Sequence, residues 1–435
     1  MAASVDKFAR LAALKPAPRS IARPSTLRAP DEEDALGRLL GAGVARNDFG
    51  EHLAIRNWYS SPEFAEPSNE TLELLSRTRD EAISQRTRDA IADPSKWLFL
   101  DTETTGLAGG TGTYAFLIGI AWWDAGGLQV EQFFMRDFAE EHSLLEELAS
   151  RMAARPVLVT FNGKSFDWPL LASRYTMTRT IATPQPTAHL DLLHPARALW
   201  KLRLGSVRLV ELERHVLQAE RLGWHRDDDV PGALIPQYYF DYLRGGPAAP
   251  LAAVVRHNQM DLRGLAALFG KINELLSSGT GAASEVDSLD LFGLSRFLRR
   301  KGEPVRASSA CEQALDAGLP AEFRPQARRG LAELARRRGD HDRAAKEWHE
   351  IVNDPRDGVD ACEQLAIYYE RRVKDFMRAT EFSQLGILKL RRLRAERQNW
   401  TDHRLAQLEE KFLKRLRRLM ERMKSETQRA ASLPL

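Results

Sequence analysis

The chain has 435 residues, enough for two or three domains of ordinary size with a substantial buried core. Hydrophobic residues make up 43% and charged residues 28%, a globular composition that excludes a disordered, collagenous or fibrous protein. The formal net charge of +3 does not by itself require a nucleic-acid or membrane partner, so any basic surface must be local.

The N-terminus and the cysteines indicate the compartment. Charged residues interrupt the first 15 residues, which lack the apolar core of a signal peptide. The longest apolar run, Tyr114–Trp123, has ten residues, about half of a membrane span. Cys311 and Cys362 both lie in amphipathic helical patterns, so we expect reduced core thiols and no disulfide framework. Together these features predict a cytoplasmic protein with no membrane association.

The segment 1–96 is predicted to hold a tail, a short hairpin and a linker helix. Residues 1–33 contain four prolines and predict a flexible tail. A turn over Asn47–Gly50 between apolar runs predicts a β-hairpin. Residues 70–92 predict an exposed helix that ends before Asp93-Pro94. We expect a new domain to begin at Trp97.

From Trp97 to residue 276, strand and helix patterns alternate. The predicted elements are strands at Trp97–Leu100, Tyr114–Trp123, Gln129–Phe134 and Val157–Thr160, and helices at Glu140–Ala154 and Ala249–Leu276. The short turn Ala125-Gly126-Gly127 predicts antiparallel pairing of the second and third strands, and the following helix returns the chain to a parallel strand. The fold class is therefore α/β, a mixed sheet flanked by helices.

Residues 285–391 follow a Ser- and Gly-rich stretch and show only helical patterns. Leu294–Glu303, Leu331–Asp340 and Leu365–Lys374 align at spacings of 37 and 34 residues, each followed shortly by Arg-Ala. These helix–turn–helix units resemble tetratricopeptide repeats, whose period is about 34 residues. The resemblance implies an all-α solenoid with a concave surface for a protein partner or for substrate handling.

The last segment, residues 392–435, is predicted to be a basic helix. From Lys389 to Leu435 there are 14 Lys or Arg against 6 Asp or Glu, a local net charge of +8. Six of the basic side chains cluster along one helix: Lys411, Lys414, Arg415, Arg417, Arg418 and Arg422. The pattern is typical of either a phosphate-contacting face or a solvated terminal helix.

Two carboxylates, Asp101 and Glu103, follow the first predicted strand of the mixed sheet. Residues two apart in a strand point to the same face, so the two acids lie side by side at a sheet edge. Two such charges repel each other unless something neutralises them, and a divalent cation such as Mg²⁺ or Mn²⁺ does so. The alternative is a pair of solvated acids at a strand end.

A third acid, Asp167, lies in Phe161–Pro169, directly after the strand that ends at Thr160. Because the chain there leaves a strand end and enters a helix, we expect Asp167 near the sheet edge that carries Asp101. The alternative is a helix-start acid stabilised by the helix dipole. Phe166 and Leu170 are predicted to be core residues.

The predicted closing helix contains His257-Asn258-Gln259-Met260-Asp261. Residues four apart share a helix face, so His257 and Asp261 lie one above the other. The alternative is a surface ion pair.

Other polar or aromatic residues are predicted to be structural. Asp227–Asp229 is predicted to be a solvated loop, and His189 and His194 are predicted to have structural roles with their hydrogen bonds satisfied. Trp122 and Trp123 are predicted to pack in the sheet.

The order of these motifs resembles that of the DEDD exonuclease superfamily, whose fold is ribonuclease H-like: Asp-x-Glu, then Asn-x-x-x-Phe-Asp, then an Asp on the closing helix. The step of four residues from His257 to Asp261 is similar to that in proofreading domains of family B DNA polymerases, where a tyrosine replaces His257. Residues 97–275 are also similar to the YprB-type ribonuclease H-like family of predicted nucleases. That likeness includes His-Asn-x-x-Asp, Asp191–Pro195 and Asp229–Gly232.

The resemblance implies a two-metal hydrolysis of phosphodiester bonds by a 3′–5′ exonuclease acting on single-stranded DNA or RNA. Four acids would hold two divalent cations, Mg²⁺ or Mn²⁺: Asp101, Glu103, Asp167 and Asp261. His257 would accept the proton of the attacking water or orient that water. By the same likeness, three residues would contact the nucleic acid: Thr104, Leu107 and Asn162.

Two alternatives to an exonuclease stay open at this point. The first is a scaffold whose repeats recruit partners and whose inactive nuclease fold only binds nucleic acid. The second is an endonuclease. The sequence also does not discriminate DNA from RNA, because contact with the 2′-hydroxyl depends on geometry.

Overall fold

The computed structural model describes residues 27–28, 35–60, 71, 75, 84–106, 112–179, 181–222, 224, 226, 229–277, 286–355, 357–395 and 402–431. The chain forms two compact units, Met1–Ser278 and Gly279–Leu435. Most of the predicted tail lies outside the described residues. Most of the helix predicted over 70–92 also lies outside them, and its described part is helical over Gln85–Ile91. Among the described helices, none is both long and apolar enough to cross a membrane.

The first unit is built on one mixed sheet. Its described strands are β1 Leu27–Arg28, β2 Gly43–Asn47, β3 Gly50–Tyr59, β4 Trp97–Thr104, β5 Ala115–Asp124, β6 Gly127–Phe134, β7 Val157–Thr160 and β8 Ala188–Asp191. They lie in the order β1-β2-β3-β6-β5-β4-β7-β8. The β4–β7 and β7–β8 pairs are parallel and the other pairs are antiparallel. The predicted antiparallel pairing across the Ala125–Gly127 turn and the return to a parallel strand are confirmed.

Helices flank this sheet. They are α1 Ala35–Leu40, α2 Gln85–Ile91, α3 Glu141–Ala154, α4 Asp167–Thr178, α5 Leu193–Leu204, α6 Leu209–Leu212, α7 Ile235–Leu243 and α8 Ala249–Ser277. The long helix α8 packs across β4, β5 and β6. Its apolar residues repeat at helical spacing, so Leu262, Leu265 and Phe269 are buried against the sheet.

The predicted hairpin is present as β2 and β3, which pair from Gly43 with Ala54 to Asn47 with Gly50. Strand β3 also pairs with β6 along its length, from Leu53 with Phe134 onward. The sheet therefore continues through the hairpin, and the division predicted before Trp97 falls within one sheet.

Aromatic side chains fill the space between α8 and the sheet. The Phe99 ring lies 4.8 Å from that of Trp123 at a steep angle, and the Trp97 ring lies 5.1 Å from that of Phe269. Rings at these separations and angles add to the stabilisation gained from buried apolar area. Trp122 and Trp123 are both buried, so their predicted role in sheet packing is confirmed.

The second unit consists of helices in its described residues. They are α9 Ser288–Arg300, α10 Pro304–Asp316, α11 Arg324–Arg337, α12 His341–Ile351, α13 Gly358–Tyr368, α14 Phe376–Ala395 and α15 Asp402–Ala431. Helices α9 to α14 pack in sequential pairs, so the predicted helical hairpins are present. The assignment of these hairpins to tetratricopeptide repeats stays a prediction.

The repeated sequence features have structural roles at the hairpin turns. Gly302 and Gly339 take left-handed backbone conformations, with φ of 82° and 84°, that glycine adopts without steric cost. In the third hairpin a π turn over Tyr369–Val373 precedes the left-handed residue, Lys374, which explains the degenerate match there. The alanine of each Arg-Ala pair is buried where the second helix begins.

Helix α15 packs against α14, and Phe412, Leu416 and Leu419 are buried. Arg418 donates two hydrogen bonds of 2.8 Å to the buried carboxylate of Glu370, and Arg415 lies 3.5 Å from the same group. The predicted basic helix is therefore part of the helical unit, and two of its six clustered cations are held within that unit.

The two cysteines, Cys311 and Cys362, are free and buried, as predicted. Burial raises the pKa of the Cys311 thiol to about 12 and that of Cys362 to about 11. Both thiols are therefore protonated at neutral pH and pack as small apolar groups.

Candidate active site

The first pair of acids lies within a strand, although the sequence predicts that the strand ends before them. Strand β4 continues to Thr104, so Asp101 and Glu103 are held by pairing with β5. The register shifts between Glu103 and Thr104, and such a bulge changes the direction of the neighbouring side chains. Both acids lie on the face of the sheet that α8 covers, since each is close to a residue of that helix.

A buried amide holds Asp101 from the side of α8. Asp101, Gly119 and Gln132 stand in one row across β4, β5 and β6. Asn258 lies over Gly119 and links the ends of the row, donating to Asp101 Oδ2 at 2.8 Å and accepting from Gln132 Nε2 at 2.8 Å. A Cβ at Gly119 would collide with the Asn258 amide, so this row requires glycine. The motif spacing gives no indication of this role for Asn258.

The third acid, Asp167, is the first residue of α4, and Thr102 Oγ1 donates to its Oδ1 at 2.5 Å. The loop before it is held by Asp191 at the end of β8, which accepts from the backbone N–H groups of Asn162 at 2.7 Å and Lys164 at 3.2 Å. Asn162 itself is left-handed, with φ of 70°, a conformation that asparagine tolerates. The expected proximity of Asp167 to β4 is thus present in the structure.

His257 and Asp261 lie one turn apart on α8, as the spacing predicts. The imidazole Nε2 is 4.0 Å from Glu103 Oε1 and 3.8 Å from Asp261 Oδ2. The other ring nitrogen, Nδ1, is hydrogen-bonded to Asp229 Oδ1 at 2.7 Å. This bond fixes the ring orientation, so Nε2 faces the acids.

Arg226 is a site residue that the sequence does not single out. Its guanidinium donates to Glu213 at 2.6 and 2.7 Å, to Asp261 Oδ1 at 2.6 Å and to Asp229 Oδ2 at 2.9 Å. The predicted solvated loop is therefore wrong for Asp229, while Asp227 and Asp228 lie outside the described residues. Glu213 and Asp261 come from other parts of the chain than Arg226 and Asp229, so no local spacing pattern could indicate the whole set.

Comparison with known proteins identifies the fold that carries this cluster. The sequence model of the RNase_H superfamily matches residues 98–273. Residues 98–273 are therefore similar to the RNase H superfamily, and this part of the chain has a ribonuclease H-like fold. The range includes the four acids, His257 and Arg226, so the whole cluster lies in the ribonuclease H-like domain.

Two individual proteins are also similar to the chain. The "Uncharacterized protein YprB" of Bacillus subtilis (strain 168) is 29% identical over 317 residues, which cover 72% of this chain and 74% of that protein. The family B DNA polymerase of the hyperthermophilic archaeon Pyrobaculum calidifontis aligns with a TM-score of 0.33 and 15% identity. That alignment covers 51% of this chain and 28% of the polymerase chain.

The acids of the ribonuclease H-like domain lie close enough to oppose one another's ionisation. Burial, followed by the charges of Asp261, Asp167 and Glu103, raises the pKa of Asp101 well above its usual value. Burial raises the pKa of Glu103 to about 8, and Asp261 and Asp167 contribute, although His257 acts in the opposite direction. Burial also raises the pKa of Asp167. These carboxyl groups therefore retain protons in conditions where exposed carboxyl groups have lost them.

His257 and Asp229 form the opposite case. Burial alone would lower the pKa of His257, but the hydrogen bond to Asp229 and the charges of Asp261 and Glu103 outweigh it and raise the pKa to about 9. Burial would likewise raise the pKa of Asp229, but its bonds to His257 and Arg226 hold it at about 2. At neutral pH the pair is an imidazolium and a carboxylate.

The donor chemistry of the cluster fits a hard divalent cation. Ribonuclease H-like nucleases in general use divalent metal ions, and carboxylate oxygens are the ligands such ions prefer. A cation beside Asp101, Glu103 and Asp167 would stabilise their ionised forms, which burial disfavours at all three and neighbouring acids disfavour at Asp101 and Glu103. In the described part of the chain, no three His, Cys, Asp or Glu side chains already stand as a ready-made metal site. Their hydrogen bonds lead instead to Asn258 and other partners.

A cleft of about 540 Å³ opens beside the acids. It is lined by Glu103 and Asp167 together with Thr104, one of the predicted nucleic-acid contacts. Asn162 lies in the adjoining loop, and Leu107 lies outside the described residues. Phe166 lines the cleft with 60% of its surface exposed, so its predicted core role is wrong. The core role predicted for Leu170 is confirmed, since that side chain is 7% exposed.

Proposed function

We propose that the chain is a divalent-cation-dependent nuclease, a 3′–5′ exonuclease that acts on single-stranded ends. The observation that carries the proposal is the meeting of three distant motifs at one point of the ribonuclease H-like domain. There, the charges of Glu103, Asp167 and Asp261 act on Asp101, and Glu103 and Asp261 flank a histidine that a further carboxylate orients. Clusters of buried, mutually perturbed titratable groups beside a cleft are typical of active sites.

In this proposal the four acids hold the cations. Bound divalent cations would activate water and neutralise charge on the scissile phosphate. Other residues of the chain position these acids. Asn258 and Thr102 fix the carboxylates of Asp101 and Asp167 through hydrogen bonds of 2.8 and 2.5 Å. The acids are therefore oriented before substrate arrives.

His257 is proposed to handle the proton of the attacking water. Asp229 holds Nδ1, which leaves Nε2 directed at the region between Glu103 and Asp261. An imidazolium cannot accept a proton, so the base role requires that positive charge near the acids lowers the pKa of His257 from about 9. If the ring stays protonated, its role is to orient the water.

The cleft is proposed to receive the terminal nucleotide. Its volume of about 540 Å³ falls within the range of small-molecule sites, roughly 300–1,000 Å³. Thr104 lies within it and Asn162 beside it, where the sugar–phosphate chain would pass. Phe166 offers an exposed ring on which a base of a single strand can stack.

Product analysis tests the proposed activity. The full-length protein is incubated with MnCl₂ or MgCl₂ and with 5′-end-labelled single-stranded and duplex DNA and RNA. We expect a ladder of products that shorten progressively from the 3′ end of the single strands, and no product in EDTA. A circular single strand is the control for internal cleavage. Cutting of the circle, or no cleavage with either metal, would contradict the proposal.

Replacement of Phe166 with alanine tests the stacking contact. Stacking of a base on an aromatic ring contributes about 1–3 kcal/mol, so we expect KM for a single-stranded substrate to rise about tenfold with kcat little changed. Leu39→Ala is the matched control, because Leu39 is also exposed, at 46%, but does not line the cleft. Equal KM values for the two variants would remove Phe166 from the substrate site.

The helical unit is proposed to recruit a protein partner. Its sequential helical hairpins are the arrangement in which repeat proteins present extended binding surfaces. Arg415 and Arg418, which bind Glu370 within the unit, are poorly placed for phosphate contact.

A further inference from the structure

The environment of Arg226 is unusual because one buried cation is shared among three acids. The side chain of Arg226 is 11% exposed and that of Glu213 is 3% exposed. Two of its four hydrogen bonds go to Glu213, one to Asp229 and one to Asp261. Asp261 is thus the only one of these three acids that also belongs to the proposed cation-binding set.

The position of Arg226 does not depend on Asp261. Glu213 holds the guanidinium through two parallel bonds, the geometry that gives arginine–carboxylate pairs their strength. The Glu213 carboxylate lies against Gly264 of α8, where a Cβ would collide with it, so the chain leaves space for this acid. With Asp229 included, three of the four hydrogen bonds persist if Asp261 turns away.

Trp224, two residues before Arg226, is also held by the fold. Trp224 is buried, and Arg263 of α8 lies over its ring at 4.7 Å. The same guanidinium lies over the ring of Tyr59 at 4.3 Å, so Trp224 is connected through α8 to strand β3. Arg226 is therefore held in place by its neighbours, unlike an exposed side chain that reaches the acids by chance.

We propose that Arg226 is an internal counter-cation that competes with a divalent cation for Asp261. This inference rests on the proposed function, because it assigns the cation to the same acids. In the cation-free protein, Arg226 neutralises Asp261 and limits its repulsion of Asp101 and Glu103. When a divalent cation binds, Asp261 exchanges the guanidinium for the ion, and Arg226 stays bound to Glu213 and Asp229. The Arg226 guanidinium and the divalent cation repel each other, so the arginine lowers the affinity of the site for the ion.

Metal titration of the full-length protein tests this competition without any measurement of cleavage. Wild type and Arg226→Gln are titrated with MnCl₂ by calorimetry at one pH and ionic strength. We expect the variant to bind Mn²⁺ about tenfold more tightly, and Mn²⁺ to raise its melting temperature by more than that of wild type. Arg256→Gln is the control: it removes an exposed positive charge from α8, the helix that carries Asp261, and its affinity should equal that of wild type.

A second variant covers the case in which Arg226→Gln does not fold. Arg226→Lys keeps the charge but lacks the planar fork that binds Glu213 and Asp261 together, so we expect its Mn²⁺ affinity to rise as well, by less. Equal or weaker Mn²⁺ binding by the folded variants would overturn the inference. Absence of Mn²⁺ binding by both wild type and variants would also overturn it.

The test of the proposed nuclease function is independent of the test of the competition for Asp261. If wild type cleaves nucleic acid and the Arg226 variants bind Mn²⁺ no more tightly, the competition is wrong and the nuclease assignment stands. If the variants bind Mn²⁺ more tightly and no protein cleaves any substrate, the competition stands and the nuclease assignment fails.

Discussion

Replacement of Asp101 with asparagine is expected to abolish cleavage and, at the same time, to stabilise the cation-free protein. Asp101 lies where burial and three neighbouring acids all disfavour its charge. Asparagine removes that charge and keeps an oxygen that can accept from Asn258 Nδ2. The loss of a cation ligand removes several kcal/mol of transition-state stabilisation, so we expect activity to fall at least about 10³-fold.

The stability change has the opposite sign. Removal of a carboxyl group whose ionised form is disfavoured in the folded state contributes about 1–3 kcal/mol, a rise of a few degrees in melting temperature for a domain of this size. Thermal unfolding in EDTA measures it, and Asp241→Asn is the control because Asp241 is a half-exposed acid in the last turn of α7. A variant that loses activity together with stability would indicate a purely structural role for Asp101.

The stability of the cation-free protein is expected to fall as the pH rises from about 5 to 9. Glu103 keeps its proton up to about pH 8 in the folded protein, but the unfolded chain loses it near 4.5. The folded state therefore binds more protons in this range, and its stability falls with rising pH. His257 has the same effect between 6.5 and about 9, because its pKa is also raised. The lowered pKa of Asp229 affects stability only below about pH 4.

Urea unfolding in EDTA at several pH values measures this decrease in the free energy of unfolding, which we expect to total a few kcal/mol. Added Mn²⁺ should reduce it, because an ion that replaces protons among the acids stabilises the ionised carboxylates. Glu103→Gln should reduce it as well. A stability that rises with pH in EDTA would show that these groups are not buried together.

Local patterns in the sequence predict the parts of this structure that depend on local geometry. The Asp101 and Glu103 pair follows from strand periodicity, and the His257 and Asp261 pair follows from helix periodicity. The β2–β3 hairpin is predictable from its turn, but its place in the sheet is not, because pairing with β6 joins residues that are 69 to 81 positions apart.

The same distinction explains what was missed in the active site. Arg226 meets Glu213 and Asp261 from separate segments, and no spacing rule relates them. Phe166 has the hydrophobic character of a core residue, and the turn into α4 alone determines that it faces the cleft. Asp229 has the local pattern of a solvated residue within a run of acids, because its partner His257 is 28 residues away.

The order and lengths of the strands have a further consequence for self-association. The two strands at the margins of the sheet are short. Strand β1 has two residues and β8 has four. A margin this short exposes few unpaired backbone groups on which another chain could add a strand. The long apolar strand β5 is paired with β4 on one side and β6 on the other, so it offers no free edge to another chain.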